Sequence, residues 1–428
     1  MSSPDPLAGA PDLAYREGAL MMEDVGVAGM AERVGTPFYA YSSAYLERRY
    51  RAFMAAFGGE ALLCFAVKAN SNLSVLRHLG RLGAGADLVS EGELRRALAA
   101  AIPPKRLIFS GVGKTEAELS AALAADVHQI NVESEAELRL LSEVAQRVGR
   151  TARIAIRVNP DVDANTHAKI ATGRSEDKFG IDLAVAPQVL RRAKELPRLE
   201  PVGLAVHIGS QITRLEPFET AFTRVVDLLK ALRGEGMALT RLDLGGGLGI
   251  RYKDETPPSL EDYAALVKRV TRGLGLELAF EHGRWIAADA GILVSRVLYV
   301  KEGPARRFVV VDAAMNDLMR PALYGAWHGI VPVAAPHDKA PLANVDVVGP
   351  VCETGDVFAA GRPLPPLVAG DLVAFLSAGA YGAIMSSGYN SRLLVPEVMV
   401  RAGEFTIVRR RPTYDEMLAQ ERVPLWLL

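Results

Sequence analysis

Strand-like segments alternate with helical segments through the middle of the chain, and this alternation constrains the fold more than any other feature. Apolar runs rich in β-branched residues lie at 62–67, 86–89, 106–109, 129–132, 153–158, 202–207, 241–244 and 276–280. Segments with helical spacing separate most of them, among them 74–82, 91–101, 134–148 and 218–232. Eight such units within about 250 residues are typical of a parallel (β/α)8 TIM barrel, an α/β fold. Periodicity alone leaves an open doubly wound sheet as the alternative.

The pattern changes after Gly291, where strand-like runs follow one another with few helices between them. These runs lie at 292–300, 308–311, 345–348, 372–376 and 405–408. A chain of 428 residues also favours two domains. We therefore predict a barrel over 36–289 and a mostly-β domain, sandwich-like or barrel-like, formed by 290–428 together with 1–35.

Charge and cysteine content exclude several classes of function. The 49 basic and 50 acidic residues leave a net charge of −1, which argues against a nucleic-acid partner. No signal-peptide pattern and no apolar run long enough to cross a bilayer is present, so we expect no membrane partner. Cys64 and Cys352 lie far apart and predict neither a metal site nor a disulfide framework. We expect a cytoplasmic protein.

Polar and glycine-rich residues follow the carboxyl ends of the predicted strands, where barrel enzymes place their chemistry. These groups are Lys68-Ala69-Asn70, Ser90-Glu91, Arg157-Val158-Asn159, His207 to Ser210, Gly245 to Gly247 and Glu281 to Arg284. Each has an ordinary explanation by itself, since a lysine after a buried strand usually marks where the chain reaches water. Their joint placement on one rim favours a functional site.

The glycine-rich stretch Gly245 to Gly249 suits an anion, because glycines let backbone N–H groups approach phosphate oxygens closely. It is not a dinucleotide fingerprint, which would need glycine at Ile250. The stretch Gly111 to Thr115 resembles the end of a nucleotide-binding P-loop, but that motif needs glycine at Ile108. A lysine, a phosphate cradle and a carboxylate on one rim instead suit pyridoxal phosphate. The lysine would form the Schiff base, and the carboxylate would keep the pyridine nitrogen protonated.

Eight stretches carry a resemblance to a known family over nearly the whole chain. They are FAVKAN (65–70), GADLVSEGE (85–93), IRVNPDVDANTH (156–167), HIGSQ (207–211), LDLGGGLGI (242–250), MRPALY (319–324), CETGD (352–356) and GAYGAIMSSGYNSR (379–392). With these motifs the chain resembles the fold-type III pyridoxal-phosphate decarboxylases. HIGSQ, RPALY and the cysteine–glutamate pair indicate the diaminopimelate branch. The resemblance implies decarboxylation of meso-2,6-diaminopimelate at its D-centre to L-lysine and CO2.

For the cofactor, the resemblance implies that Lys68 is the Schiff-base lysine, that His207 stacks on the pyridine ring and that Glu281 pairs with the pyridine nitrogen. The other cofactor contacts would come from Ser210, Gly245, Gly246, Gly247, Gly283, Arg284 and Tyr381. The family usually has proline after the glutamate, where this chain has His282.

For the substrate, the resemblance implies that Arg284, Arg320 and Tyr324 bind the distal carboxylate, Glu353 binds the distal ammonium and Tyr381 adds a contact. Cys352 would be a proton donor, and both Cys352 and Lys68 remain candidates for returning the proton to Cα. In this family Cys352 and Glu353 enter from the neighbouring subunit, so we expect a homodimer with shared sites. The catalytic residues would be Lys68, His207 and Cys352.

Three alternatives remain open. A relative acting on ornithine, arginine or lysine is the nearest, and the pairs Arg320–Tyr324 and Cys352–Glu353 argue against it. An amino-acid racemase of the same fold would need a second base and would release no CO2. A non-catalytic protein that binds pyridoxal phosphate comes from a different class, and the presence of both Lys68 and Cys352 disfavours it.

Overall fold

The computed structural model describes Leu7 and residues 12–164, 172–174, 176–336 and 340–427. The chain divides into two units, one formed by residues 46–286 and the other by residues 1–45 together with 287–428. Asn165 to His167, at the end of the motif IRVNPDVDANTH (156–167), lie outside the described residues. No helix in the described ranges is both long and apolar enough to cross a membrane.

The first elements of the chain belong mainly to the second unit. They are β1 (Leu13–Arg16), β2 (Ala19–Met22), β3 (Val25–Gly26), α1 (Val27–Val34), β4 (Phe38–Ser42) and α2 (Ser43–Ala56). β1, β2 and β3 form a small antiparallel sheet. Glu17 and Gly18 both have positive φ (49° and 80°) in the two-residue turn between β1 and β2, as expected for a tight hairpin whose turn matches the strand twist.

The strands of residues 46–286 close into a barrel. They are β5 (Leu62–Ala66), β6 (Gly85–Leu88), β7 (Leu107–Phe109), β8 (Gln129–Val132), β9 (Ala152–Asn159), β10 (Ile181–Asp182), β11 (Leu199–Ala205), β12 (Arg241–Asp243) and β13 (Glu277–Phe280). All neighbours are parallel, β10 is an outer addition to β9, and β13 pairs with β5. The predicted barrel is therefore confirmed, and the open sheet is excluded because its edges would remain unpaired.

Helices follow the barrel strands. They are α3 (Leu73–Leu82), α4 (Glu91–Ala99), α5 (Glu116–Ala125), α6 (Glu135–Val148), α7 (Ala186–Glu195), α8 (Glu216–Gly234), α9 (Leu260–Val270) and α10 (Arg284–Ala287). Thr115 begins α5 with a reciprocal capping box to Glu118. The preceding Lys114 is buried, and its Nζ donates to Glu137 at 2.6 Å. The P-loop-like stretch is therefore an ordinary strand-to-helix connection.

The barrel interior is layered. Cys64, Ile108 and Ala279 form a buried apolar cluster toward its amino-terminal end. Further along the strands the interior becomes polar, with Asp87 and Asp243 buried on β6 and β12. Barrel interiors are usually filled by branched apolar side chains, so a buried acidic layer indicates a functional purpose.

The second unit is mostly β, as predicted. Its later elements are β14 (Gly291–Glu302), β15 (Arg307–Val311), α11 (Arg320–Tyr324), β16 (Ile330–Pro332), β17 (Ala343–Val348), β18 (Val357–Leu364), β19 (Leu372–Phe375), β20 (Glu397–Arg401), β21 (Glu404–Arg409) and α12 (Tyr414–Leu418). The main sheet has the order β18-β17-β15-β14-β4-β20-β21, and β19 pairs with β14 and β16. Because β4 pairs with β14 and β20, the barrel unit begins at residue 46 rather than at 36.

The core of this unit joins its amino-terminal elements to the late strands. Leu20 and Met30 are fully buried against Ile292, Val294 and Val398 in one apolar cluster. Burying a side chain of this size contributes about 1.5–3 kcal/mol. The N-terminal hairpin and α1 are therefore part of the unit's core and not an appendage.

Candidate active site

Lys68 lies at the carboxyl end of β5, in a short 3₁₀ turn that carries the chain out of the barrel. Its Nζ contacts the Asp87 Oδ2 atom at 2.5 Å, from the end of the neighbouring strand β6. The Lys68 side chain is 38% exposed, whereas Asp87 is fully buried. Asp87 Oδ1 has no hydrogen-bond partner among the described residues. A buried carboxylate thus holds the lysine amine at the rim.

His207 follows β11 and is tied to the glycine loop. The backbone N–H of Gly246 donates to His207 Nδ1 at 3.2 Å, so this nitrogen accepts and the ring is neutral. Burial, together with the charges of Arg157 and Lys68, lowers the pKa of His207 well below its ordinary value. A neutral, flat ring at this position suits stacking on an aromatic ligand.

The glycine loop packs too closely against its neighbours to carry side chains. A Cβ at Gly245 would lie 2.4 Å from the Val206 carbonyl oxygen, and one at Gly246 would lie 2.4 Å from that of Glu281. Gly245 and Gly247 also have positive φ, at 63° and 115°. The loop therefore presents backbone to the rim, as a phosphate cradle requires.

Gly283 extends this close packing toward the lysine. A Cβ at Gly283 would lie 2.7 Å from the Cβ of Ala69, the residue after Lys68. The backbone segments at 245–247, 281–283 and 66–69 thus meet at one end of the barrel. Their tight approach and lack of side chains fit the phosphate and ring of pyridoxal phosphate, with Lys68 at the edge.

Glu281 lies just after β13 in the acidic layer. Its Oε1 accepts from Ser110 Oγ at 3.0 Å and from Asn131 Nδ2 at 3.3 Å, and Asn131 Nδ2 also donates to Asp243 Oδ2 at 2.9 Å. Burial and the neighbouring Asp243 and Asp87 raise the pKa of Glu281 well above its ordinary value, and Lys68 lowers it. A cationic ring nitrogen would compensate these carboxyl groups, which supports the fit to pyridoxal phosphate.

Arg284 is buried and held by two hydroxyl groups. Its Nη1 donates to Tyr252 Oη at 2.7 Å, and its Nη2 donates to Ser210 Oγ at 3.0 Å. Two of the predicted residues, Arg284 and Ser210, therefore act as one unit. Tyr252 was not predicted, and its only signal is its place in the loop that follows the glycine-rich stretch.

Arg320 begins the short helix α11 and is buried in the second unit, with Tyr324 at the end of that helix. Its Nη1 contacts His328 Nε2 at 2.8 Å, and His328 Nδ1 contacts the Leu376 carbonyl oxygen at 2.8 Å. Because a carbonyl oxygen only accepts, Nδ1 carries the ring proton and Nε2 accepts from Arg320. His328 was not predicted, and it orients the Arg320 guanidinium.

Cys352 and Glu353 lie in an exposed loop of the second unit, and Cys352 is a free thiol. Glu353 Oε2 accepts from Tyr389 Oη at 2.9 Å. Tyr381 has a positive φ of 56°, a backbone conformation that a bulky side chain rarely adopts. The structure brings Lys68, His207, Ser210, the glycine loop, Glu281 and Arg284 together. The place of Arg320, Tyr324, Cys352, Glu353 and Tyr381 in the same site stays a prediction.

His282, at the position where the family usually has proline, lies in an aromatic cluster behind this rim. Its ring centroid is 5.3 Å from that of Phe53, 5.6 Å from that of Tyr263 and 6.1 Å from that of Phe280. Neither ring nitrogen has a hydrogen-bond partner in the part of the chain that the structure describes. Burial lowers the pKa of His282 to about 3.

Replacing His282 with phenylalanine should make the protein less sensitive to acid. The imidazole is neutral when folded but protonates in the unfolded chain as the pH falls below 6.5, so stability is lost from there down to about pH 3. We expect the wild-type free energy of unfolding to fall about 2 kcal/mol further than that of His282→Phe between pH 8 and pH 5. Urea unfolding of the cofactor-free proteins at both pH values measures this difference. Equal pH dependence of the two proteins would contradict the neutral, buried histidine.

Comparisons with known proteins place this geometry in context. The family model "Pyridoxal-dependent decarboxylase, pyridoxal binding domain" matches residues 43–288. Diaminopimelate decarboxylase of Zymomonas mobilis is 47% identical over 97% of this chain and 99% of its own. That of Pseudomonas aeruginosa is 51% identical over 95% and 98%.

Solved structures agree in fold over nearly the whole chain. Diaminopimelate decarboxylase of Helicobacter pylori, complexed with L-lysine, superposes with a TM-score of 0.88 at 41% identity, covering 92% of this chain and 98% of that one. The M. jannaschii enzyme, also in complex with L-lysine, gives a TM-score of 0.93 at 36% identity, covering 98% and 100%.

Proposed function

Because the chain belongs to the diaminopimelate decarboxylases, a family of pyridoxal-dependent enzymes, we propose that it converts meso-2,6-diaminopimelate to L-lysine and CO2. This would be the last step of lysine biosynthesis. The observation that carries the proposal is the rim of the barrel, where Asp87 holds Lys68 beside a side-chain-free cradle and buried Glu281. The two free cysteines of the described chain suit a reducing cytoplasm, where we place the reaction.

Incubation of the purified protein with meso-diaminopimelate tests this function directly. We expect CO2 and L-lysine in equal amounts, and no CO2 from ornithine, arginine or lysine under the same conditions. Release of CO2 only from one of those amino acids would favour the related decarboxylases. Inversion at Cα without CO2 would indicate a racemase, and no turnover of any substrate would indicate a binding protein.

The residues of the barrel rim fit the cofactor part by part. When bound, pyridoxal 5′-phosphate accepts the electron pair left on the substrate Cα as the carboxylate departs. Lys68 would hold the cofactor covalently, and Glu281 would face the ring nitrogen. His207, as a neutral ring, would stack on the cofactor without adding charge. The backbone of Gly245 to Gly247 and Gly283 would bind the phosphate, with Ser210, Arg284 and Tyr381 as further contacts.

The distal end of the substrate would be selected by charge. The resemblance assigns its carboxylate to Arg284, Arg320 and Tyr324, and a planar guanidinium pairs with a carboxylate through two parallel hydrogen bonds. His328 supports this role because it fixes one edge of the Arg320 guanidinium. Glu353 would bind the distal ammonium. A substrate lacking the carboxylate would lose these charge-assisted hydrogen bonds to the buried arginines, which lowers its turnover strongly.

Proton return to Cα has two candidate donors. One is the Lys68 amine, which Asp87 holds at the rim of the barrel and which would carry a proton there. The Cys352 thiol is exposed in the single chain and would deliver the proton if a second subunit carried it to the site.

We further propose a homodimer in which Cys352 and Glu353 complete the site of the neighbouring subunit. Several large apolar side chains support an interface, because they are costly to leave in water. Leu425 is 87% exposed and Trp426 is 81% exposed near the end of the chain, and Tyr389, which donates to Glu353, is 45% exposed.

Mixing two inactive variants tests the shared site. Lys68→Ala and the double variant Cys352→Ala/Glu353→Ala should each have little activity alone, the first because it cannot hold the cofactor and the second because it cannot bind the distal ammonium. Refolded together, half of the dimers are mixed and carry one intact site, so activity should return to about a quarter of the wild-type value. The measurement is lysine formation per subunit, with each variant refolded alone as the control. If mixing restores nothing while both variants form dimers with each other, each site is built within one chain.

A further inference from the structure

Asp243 and Glu281 form a buried pair of carboxyl groups on neighbouring strands of the barrel. Asp243 ends β12 and Glu281 follows β13, and the two residues are 1% and 8% exposed. The two carboxyl groups lie close together, because both accept from the same amide nitrogen, Asn131 Nδ2. Asn131 donates from β8 to both, at 2.9 Å to Asp243 Oδ2 and 3.3 Å to Glu281 Oε1.

Two buried carboxyl groups this close favour holding one proton between them, because two ionised carboxylates would repel each other and both would lack water. The neighbouring donors indicate which group is ionised. Asp243 accepts two N–H groups, from the Gly245 backbone at 2.9 Å and from Asn131. Glu281 receives the Ser110 hydroxyl and only the longer bond from Asn131. N–H donors stabilise a carboxylate, so Asp243 is the carboxylate and Glu281 is the acid.

The other groups around the pair agree with this assignment. Asp87 on β6 adds negative charge, and Lys68 after β5 is the cation that opposes it at Glu281. Two neutral groups, the Cys64 thiol and the Tyr263 hydroxyl, also lie near the pair, and burial followed by the charge of Asp243 raises the pKa of each. Burial first, and then Asp243 and Asp87, raise the pKa of Glu281 well above its ordinary value.

We propose that Asp243 keeps Glu281 protonated in the cofactor-free protein, so that Glu281 supplies this proton to the ring nitrogen when the cofactor binds. The O–H bond of Glu281 breaks and an N–H bond forms on the ring, with no change in electron count, and Glu281 becomes a carboxylate beside the cationic ring. Asp243 acts as a positioning residue through Glu281. The inference rests on the proposed function in one respect, that Glu281 faces the ring nitrogen.

A stored proton has a physical advantage in this setting. Without it, the cofactor-free barrel would bury Asp87, Asp243 and Glu281 as three negative charges near a single lysine, at a large desolvation cost. With it, cofactor binding takes no proton from solution for the Glu281 partner. The affinity for the cofactor should then change little at alkaline pH, because Glu281 already carries the proton that the ring nitrogen needs.

Infrared spectroscopy of the cofactor-free protein tests the stored proton without substrate or turnover. At pH 8 we expect a buried protonated-carboxyl band in the wild type that disappears when pyridoxal phosphate is added. The band should be missing from Glu281→Gln and from Asp243→Asn. Glu133→Gln is the matched control, because Glu133 is also a buried carboxylate after a barrel strand but pairs with Arg157 instead. This control should keep the band.

The pH dependence of cofactor binding gives a second readout. In Asp243→Asn, the neighbouring negative charge is gone and the asparagine N–H can donate to the Glu281 carboxylate, which offsets the effect of burial. Glu281 should therefore be ionised before binding, so binding takes up one proton more than in the wild type. The dissociation constant of pyridoxal phosphate should therefore rise about tenfold per pH unit relative to the wild type, or roughly 100-fold between pH 7 and pH 9. Absorbance titration of the cofactor measures both curves.

Three outcomes would overturn the proposal: no such band in the wild type, an unchanged band in Asp243→Asn, or parallel pH dependences of binding. If Asp243→Asn does not fold, the comparison of wild type with Glu281→Gln still decides whether Glu281 holds a proton. None of these measurements depends on lysine formation. A protein with the stored proton but without decarboxylase activity would refute the proposed function alone.

Discussion

Replacing Lys68 with alanine is expected to lower the rate of lysine formation by at least about 10⁴-fold, the upper range for a group that acts directly in proton transfer. The change removes the only amine on the described rim that Asp87 holds, and with it both the covalent attachment of the cofactor and one of the two proton donors. Steady-state assays with meso-diaminopimelate measure the loss. Borohydride reduction of the wild type should leave the mass of the reduced cofactor on the peptide that contains Lys68.

The Lys68→Arg variant distinguishes the loss of covalent cofactor attachment from the loss of the positive charge beside Asp87. Arginine keeps a cation beside Asp87 but cannot form the covalent bond at neutral pH, so it should be as inactive as alanine while folding normally. Activity within tenfold of the wild type in Lys68→Arg would show that the lysine serves only as a counter-ion for Asp87. Finding the reduced cofactor on a different peptide would show that it is attached to a residue other than Lys68.

Arg320→Ala should lower kcat/KM for diaminopimelate by about 10²–10⁴-fold, because it removes one partner of a buried charge pair with the distal carboxylate. The cofactor should stay bound with its visible absorbance unchanged, since Arg320 is not among the residues proposed to hold it. The measurement is a steady-state assay beside an absorbance spectrum of the same sample. Loss of the absorbance would contradict this division of labour between substrate and cofactor residues.

Two variants of His328 test whether this residue orients Arg320 toward the distal carboxylate of the substrate. Glutamine can still accept from Arg320 and donate to the Leu376 carbonyl oxygen, so His328→Gln should keep most of the activity. His328→Ala leaves the Arg320 guanidinium without this support and should raise KM more than it lowers kcat. Equal effects of the two variants would show that His328 fills space and does not orient Arg320.

The sequence predicted the barrel and much of its rim because both depend on local patterns. Strand and helix periodicity located the eight strands of the barrel within a few residues. Residues just after the strands, such as Lys68 and His207, share the rim because parallel strands all end on the same side. The structure confirms that the residues of the first and last strand ends meet, since β13 pairs with β5.

Several of the residues that the sequence did not reveal lie within strands. Asp87, Asn131 and Asp243 stand among apolar neighbours on β6, β8 and β12, and strand periodicity does not say which of them face one another across a barrel. Their joint role depends on the closed cross-section, in which three strands that are distant in the chain point side chains into one layer. A polar side chain beside buried apolar neighbours was the available signal.

The boundary near residue 36 was misplaced for a related reason. β4 is a fully buried run, and periodicity reads such a run equally well as a barrel strand or as a strand of another sheet. Its antiparallel partner β14 lies far along the chain, and pairing over that distance leaves no local signature. Residues such as Arg320 and Cys352 share this difficulty, since their proposed site is assembled from distant segments and a second subunit.

The closure of the barrel between β13 and β5 also governs when the protein can recognise its cofactor. Lys68 emerges early during synthesis and Glu281 emerges late, and they become neighbours only after the last strand has docked against the first. A partly synthesised barrel therefore has no complete cofactor site, and cofactor binding cannot interfere with the remaining folding steps. Since only the finished barrel can bind the cofactor, cofactor binding shifts the folding equilibrium toward the closed barrel and raises its free energy of unfolding.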